Sequence, residues 1–340
     1  MKDFNYSKTE IESTSLQVLP DAEIPTLGLV LDPCRLRKRL RRLSRQWTES
    51  SEVRVQVLRF QTGRRCTFEI AFGTPAGPHA LIGKVYALDG AKVFETMRRI
   101  NLSGFGPEAE FSIPQPVAYL TDEHLLLQER VQGRLAKEIF LQGSEDDRAA
   151  VAEQCARWLA RFHAIAPKFS PAIDPNACLL RLEQWLSGVA LSGHPLSEKA
   201  EQLFHCLERA APALERRKTC ACHGDFSPAQ VILGEGRIAT CDWDSYCVAD
   251  RHYDVARFLT ALEIMARKYF GSVRALDASA DVFLRTYATF GKPISASNLQ
   301  FYKAAHHLKL IRRKLVKPYW RQRIEATLDD SLRMLEPMTA

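Results

Sequence analysis

The feature that most narrows the fold of this chain is a switch in hydrophobic period. Over 53–88 the apolar residues come in short β-branched and aromatic runs, VRVQVLRF, CTFEIAF and ALIGKVYAL. Turn signals at Thr62-Gly63 and across 73–78 (GTPAGP) separate them, which is the pattern of antiparallel hairpins. A helical stretch at 91–102 precedes two more runs, PVAYL at 116–120 and HLLLQERV at 124–131. After about residue 133 the apolar positions recur at helical spacing instead. Ser144 with Asp147 is an N-terminal cap signal, and Val151, Cys155, Leu159 and Phe162 form the buried stripe of the helix that follows. Further helices are expected at 179–190, 197–216, 252–270, 278–290 and 297–316. The interruption is 219–250, where the strands VIL and IATCDW flank a turn at Gly234–Gly236. The pattern predicts an α+β fold: a small antiparallel-sheet part, then a larger helical part.

The formal net charge is +7, but it is concentrated. Residues 33–46 hold seven Lys/Arg and no acid, and residues 306–323 hold seven more and no acid, so the remainder is net acidic. Leu36, Leu40, Leu43 and Trp47 fall at helical spacing in the first stretch, and Leu308, Ile311 and Leu315 in the second. Both are read as amphipathic helices with solvated basic faces. A nucleic-acid partner is not expected, because stacking aromatics and a recognised motif are both missing. Residues 1–20 are polar and aperiodic and are read as a loosely ordered arm. No run approaches 18 apolar residues and the first residues lack an apolar leader, so no membrane partner is expected. The nine cysteines show no paired spacing. They are expected to be thiols in a cytoplasmic protein. The expected organisation is an extension with a basic helix over 1–50, a sheet-rich part over 51–131 and a helical part over 132–340.

The chemistry concentrates in His223-Gly224-Asp225-Phe226-Ser227-Pro228-Ala229-Gln230, followed by Ile238-Ala239-Thr240-Cys241-Asp242-Trp243-Asp244. It places a carboxylate in a loop, an amide five residues on, and a second carboxylate at the end of a short strand. Hard oxygen donors converging from a hairpin suit Mg²⁺, which keeps waters and phosphates as its other ligands. Cys220, Cys222, Cys241 and Cys247 do not show the paired C-x2-C spacing of a structural zinc site.

This spacing coincides with the catalytic loop of protein kinases and its metal-binding Asp. With Gly224 in place of Arg, and Asp242-Trp243-Asp244 in place of Asp-Phe-Gly, the segment resembles the aminoglycoside phosphotransferase and choline kinase group. Ala249-Asp250-Arg251-His252-Tyr253-Asp254-Val255-Ala256 is similar to that group's G-D-P-x-Y-D-L-A stretch, and Leu159-Ala160-Arg161-Phe162-His163 to its L-A-x-L-H helix. The resemblance implies a two-lobed protein-kinase-like fold. It also implies an ATP- and Mg²⁺-dependent enzyme that phosphorylates a hydroxyl of a small-molecule acceptor. Asp225 would accept or orient the hydroxyl proton. Gln230 and Asp242 would hold Mg²⁺, and Asp254 would brace the loop through its backbone. Lys84 would bind the nucleotide phosphates, paired with Glu95, or else with Glu108 or Glu110. Gly63 would approach the phosphates, and Leu127 to Gly133, with Gln128, would line the adenine. His223 and His163 are expected to be structural.

Two departures from the family pattern bear on activity. Gln230 stands where Asn is usual, and 61–67 contains one glycine in place of a Gly-rich loop. A catalytically weak or silent nucleotide-binding regulator is therefore the alternative reading. Glu145-Asp146-Asp147 is the acidic run nearest the expected cleft and reads as a helix start, so a polycationic antibiotic is not the expected acceptor.

Overall fold

The computed structural model describes residues 20–44, 47, 52–190, 196–215, 218–314 and 321–339. In chain order it contains α1 (Leu27–Leu31), α2 (Pro33–Leu43), β1 (Val53–Gln61), β2 (Arg65–Thr74), β3 (Gly77–Tyr86) and α3 (Ala91–Leu102). Next come β4 (Phe111–Ser112), β5 (Pro116–Leu120), β6 (Leu125–Glu129), β7 (Arg134–Leu135), α4 (Ala136–Gln142), α5 (Glu145–Ile165) and β8 (Ala172–Ile173). They are followed by α6 (Pro175–Ala190), α7 (Ser197–Ala210), β9 (Cys220–Cys222), β10 (Val231–Gly234), β11 (Arg237–Thr240) and β12 (Cys247–Ala249). The chain closes with α8 (His252–Met265), α9 (Asp277–Phe290), α10 (Ala296–Lys314) and α11 (Arg321–Thr339). The α+β class expected from the sequence is what the structure shows.

Contacts divide the chain into two compact units. The first runs to Glu95 and takes in Pro116–Arg130; the second comprises Thr96–Gln115 and Val131 onward. In the first unit the strands form one antiparallel sheet in the order β1-β2-β3-β6-β5. One face of this sheet, with Cys66, Phe68, Ile70, Leu81 and Val85, is buried under Ile24, Leu27, Val30, Leu36 and Leu40 of the preceding segment. The basic stretch at 33–46 therefore belongs to the sheet unit, because its leucines complete that unit's core. The Asp32 carboxylate caps α2, accepting from the Cys34 and Arg35 amides at 2.8 and 3.1 Å, with Pro33 at the first helical position. The helix stops at Leu43, short of Trp47. Leu43 is exposed, and Trp47 packs from outside the helix on Phe72 and His79. The expected stripe is correct at Leu36 and Leu40 only.

The second unit is helical around two small sheets, β4-β11-β10-β7 and β8-β12-β9. The capping box at Ser144 and Asp147 starts α5, and Val151, Cys155, Leu159 and Phe162 are buried as the stripe predicts. The helix expected over 197–216 ends at Ala210 and gives way to one 3₁₀ turn, Ala211–Ala213, with Pro212 at its start. The helix expected over 252–270 is α-helical to Met265 and continues as a π-turn, Ala266–Phe270. The 19-residue helix α11 was not expected from the sequence. Of the second basic stripe, Leu308 is buried, while Leu315 lies outside the described residues, as does the arm before residue 20. No helix among the described residues is long and apolar enough to cross a membrane.

Candidate active site

In the second unit the hairpin β10–β11 fixes the spacing of the two metal-ligand candidates. The strands pair Val231 with Thr240 and turn at Glu235-Gly236, where Gly236 has φ +72. The ladder extends one step beyond them, the Cys241 amide donating to the Gln230 carbonyl at 2.9 Å. Gln230 and Asp242 thus sit at adjacent ends of paired strands. Asp242 has φ 73 and ψ 61, the left-handed region that non-glycine residues occupy at a cost. Aspartate is among the few residues that tolerate this conformation. The Gln230 amide oxygen accepts from the Ser227 hydroxyl. An amide oxygen has two lone pairs, so one remains for a second partner.

The loop carrying Asp225 is fixed from beneath. Asp254, fully buried near the start of α8, accepts from the His223 amide at 2.6 Å and the Gly224 amide at 2.8 Å, one on each carboxylate oxygen. The His163 Nε2 lies 3.2 Å from the same carboxylate, and the His163 Nδ1 lies 2.7 Å from the Tyr287 hydroxyl. Burial works against ionising Asp254, but the His163 hydrogen bond and charge and the Gly224 amide outweigh it and hold the carboxyl below its ordinary range. For His163, burial disfavours the proton, yet the Cys220 thiol and Asp254 raise its affinity for one. His163, Cys220 and Cys222 bring their ligand atoms within 4.8 Å of one another, but both ring nitrogens of His163 are already engaged.

Gly224 is required where it stands. Its φ is +81, and a Cβ there would lie 1.9 Å from the Ser245 carbonyl oxygen. Both ring nitrogens of His223 are engaged: its Nε2 lies 3.0 Å from the Cys241 carbonyl and its Nδ1 accepts from the Asp225 amide at 3.3 Å. Its ring lies 4.6 Å from that of Trp243. Phe226 is fully buried against Trp158 and Phe258, and the Lys137 amide donates to the Pro228 carbonyl at 2.9 Å. The loop is therefore held at every second or third residue.

Two partners in this loop were not read from the sequence. Arg257 on α8 donates from Nε to the Asp225 Oδ1 at 2.7 Å, and Ser227 holds Gln230. Arg257 follows the Y-D-V-A run directly, but nothing in the one-dimensional pattern says which loop a helical arginine meets.

The nucleotide-binding candidates lie in the first unit, except that the adenine segment Leu127 to Gly133 crosses the boundary. Lys84, on β3 between Thr67 of β2 and Leu126 of β6, is 5% exposed, which sets it apart from a solvated strand lysine. Gln128 is buried on β6, and its Oε1 has no hydrogen-bond partner among the described residues. Glu95 is half-buried on α3. Of its alternatives, Glu110 belongs with the second unit and lies 4.0 Å from Arg157. Gly63 has φ +68 at the β1–β2 turn, as a tight turn requires. Its amide, expected to approach phosphate, donates instead to the Asp21 Oδ2 at 2.8 Å, while the other oxygen of Asp21 accepts from the Glu23 amide at 3.0 Å. A carboxylate thus occupies the donor assigned to a phosphate.

No curated protein matches the chain by sequence. Among solved structures, aminoglycoside phosphotransferase APH(4)-Ia in a ternary complex with ADP and hygromycin B superposes with a TM-score of 0.63 at 16% identity, covering 88% of this chain and 98% of that one. An aminoglycoside-3'-phosphotransferase of type VIII gives 0.54 at 23% identity, covering 80% and 98%. A choline/ethanolamine kinase family protein from Mesorhizobium loti gives 0.54 at 13% identity, covering 78% and 85%. These likenesses show the protein-kinase-like fold. The model of the Phosphotransferase enzyme family matches residues 82–292, which take in Lys84, the Asp225 loop and the brace at Asp254, and the chain belongs to that family.

Proposed function

We infer that this protein transfers the terminal phosphoryl group of ATP, with Mg²⁺, to a hydroxyl of a small-molecule acceptor. The observation that carries this reading is the Asp225 loop, held by the buried Asp254 carboxylate and followed by a hairpin that brings Gln230 beside Asp242. The donor set fits a hard cation: one carboxylate, and one amide oxygen with a lone pair to spare. Bound Mg²⁺ would neutralise charge on the phosphates. Asp225 would orient the acceptor hydroxyl and take its proton on a carboxylate oxygen. Phosphoryl transfer leaves little covalent work to the protein, so positioning and charge carry the rate. Lys84, with Glu95, would meet the phosphates, and Gln128 would lie beside the base. All nine cysteines are free thiols, which supports a reducing cytoplasm as the setting.

The regulator reading keeps one specific support, the Asp21 carboxylate on the Gly63 amide. The two readings separate in one assay. The protein is incubated with Mg-ATP and sugars, aminoglycosides, choline or amino alcohols, and ADP is measured, with Asp242→Asn as the control. Acceptor-dependent ADP release that Asp242→Asn abolishes supports the kinase. Nucleotide binding without release for any acceptor supports the regulator.

A further inference from the structure

The geometry points to Arg257 as the residue that positions the Asp225 carboxylate, an inference that rests on the phosphotransfer reading above. One helix controls both parts of the loop. Asp254 holds the backbone at His223 and Gly224, and Arg257, three residues along α8, holds the side chain of Asp225. Residues three apart lie on neighbouring positions of one helix face. The Nε to Oδ1 distance is 2.7 Å, and the two side chains are 14% and 17% exposed. A charge-assisted hydrogen bond this short and this sheltered has a defined direction. It fixes one oxygen of Asp225 and so sets the orientation of the other.

The guanidinium is not explained by packing. Its Nη1 is buried without a hydrogen-bond partner among the described residues. Burying an unpaired donor is unfavourable, and an apolar side chain of similar volume would avoid that cost. His223, on the same loop, accepts the Asp225 amide on Nδ1. His306 on α10 is held neutral, pushed down to about 3 by burial and by the charges of Lys309 and Arg257. Arg257 is a cation hydrogen-bonded to Asp225. Pairing with a cation makes a carboxylate a weaker base. In a loose phosphoryl-transfer transition state the hydroxyl proton leaves late, so lost basicity matters less than gained orientation.

The test compares Arg257→Gln and Arg257→Lys with the parent protein. Gln keeps hydrogen-bonding capacity and loses the charge; Lys restores the charge without the planar fork. For Arg257→Gln we expect kcat to fall roughly 10- to 100-fold, the effect of a catalytic group displaced by about an ångström. ATP affinity by calorimetry should stay within about twofold, and the melting temperature should be nearly unchanged. Arg257→Lys should recover part of the loss. An Arg257→Gln protein with the parent's kcat would overturn the inference. So would a parallel loss of kcat, ATP affinity and melting temperature that Lys does not relieve, which would mark the arginine as merely structural. A readout independent of turnover is the side-chain Nε–Hε signal of Arg257 by NMR. It should be protected from exchange in the parent and lose that protection in Asp225→Ala, which removes the acceptor oxygen. Protection retained in Asp225→Ala would overturn the pair. A parent protein with a protected signal but no turnover on any acceptor would instead overturn the kinase reading.

Discussion

Asp225 stands on a loop whose backbone amides end on a buried carboxylate, whose Phe226 is packed among aromatic rings, and whose exit is a paired hairpin. Gly63 stands in a turn between β1 and β2 where its amide donates to Asp21, from the segment before the sheet. Both loops carry a glycine at positive φ, +81 at Gly224 and +68 at Gly63, yet their surroundings differ. A Cβ at Gly224 meets a backbone carbonyl, whereas one at Gly63 meets only the Glu23 Cγ at 3.8 Å. The loop assigned to proton handling is over-determined. The loop assigned to phosphate has room around its glycine, and its amide is held by a group that a phosphate could replace. Positioning a reacting oxygen needs tolerances of tenths of an ångström, while phosphate can be met by several donors in more than one arrangement.

The comparison breaks first, if it breaks, at the two glycines. Gly224→Ala should lose about 4 kcal/mol of stability or more, because backbone must move to relieve the contact with Ser245. Urea unfolding measures this, and a loss under about 1 kcal/mol would show that the loop is not over-determined.

Next in size is Asp254→Asn, which turns an acceptor oxygen into a donor facing a buried amide. We expect a loss of about 3 kcal/mol. The folded carboxyl is held below its ordinary range by the His163 hydrogen bond and charge and the Gly224 amide, against the opposing effect of burial. A depressed carboxyl contributes stability that is present above its unfolded value, near 4, and lost as pH falls through its folded value. The gap between parent and Asp254→Asn should therefore narrow on acidification below about pH 4. A gap independent of pH would show that charge is not what braces the loop.

Asp225→Asn tests function within the rigid loop. Its turnover should fall by about 100-fold or more with ATP affinity nearly unchanged, read by ADP release beside calorimetry. Parallel loss of both would move Asp225 into the metal-binding or structural set.

The smallest effects are expected at the Gly63 turn. Gly63→Ala should cost about 1 kcal/mol, the ordinary price of a Cβ at positive φ. Asp21→Ala should cost a similar amount, and it should tighten ATP binding if the Gly63 amide serves phosphate. Weaker ATP binding in Asp21→Ala would make Asp21 a support of the nucleotide site and not a competitor for it.

Most of the elements were legible in the sequence because their signals are local. Period-2 runs bounded by Thr62-Gly63 and GTPAGP are the strands β1 to β3, and the Ser144–Asp147 box starts α5. What escaped is what other segments decide. The strands β4, β7 and β8 have two residues each and exist only because partners pair with them. The helix α11 is the exception: it begins within the second basic stretch, and its Ile324, Leu328, Leu332 and Leu335 fall at helical spacing against the second unit's core, a local signal that was there to be read. The site divides in the same way. Asp225, Gln230, Asp242 and Asp254 lie at spacings the chain itself carries, because a loop, a hairpin and a helix start are local structures. That Asp225 meets Arg257 and that Asp21 reaches Gly63 are decided by tertiary structure, whereas the Ser227–Gln230 contact spans three residues and is local. Asp21 and Gly63 are 42 residues apart, and Asp225 and Arg257 are 32 apart. A hydrogen bond across such a separation depends on where packing puts two backbones, and no periodicity within either segment records that.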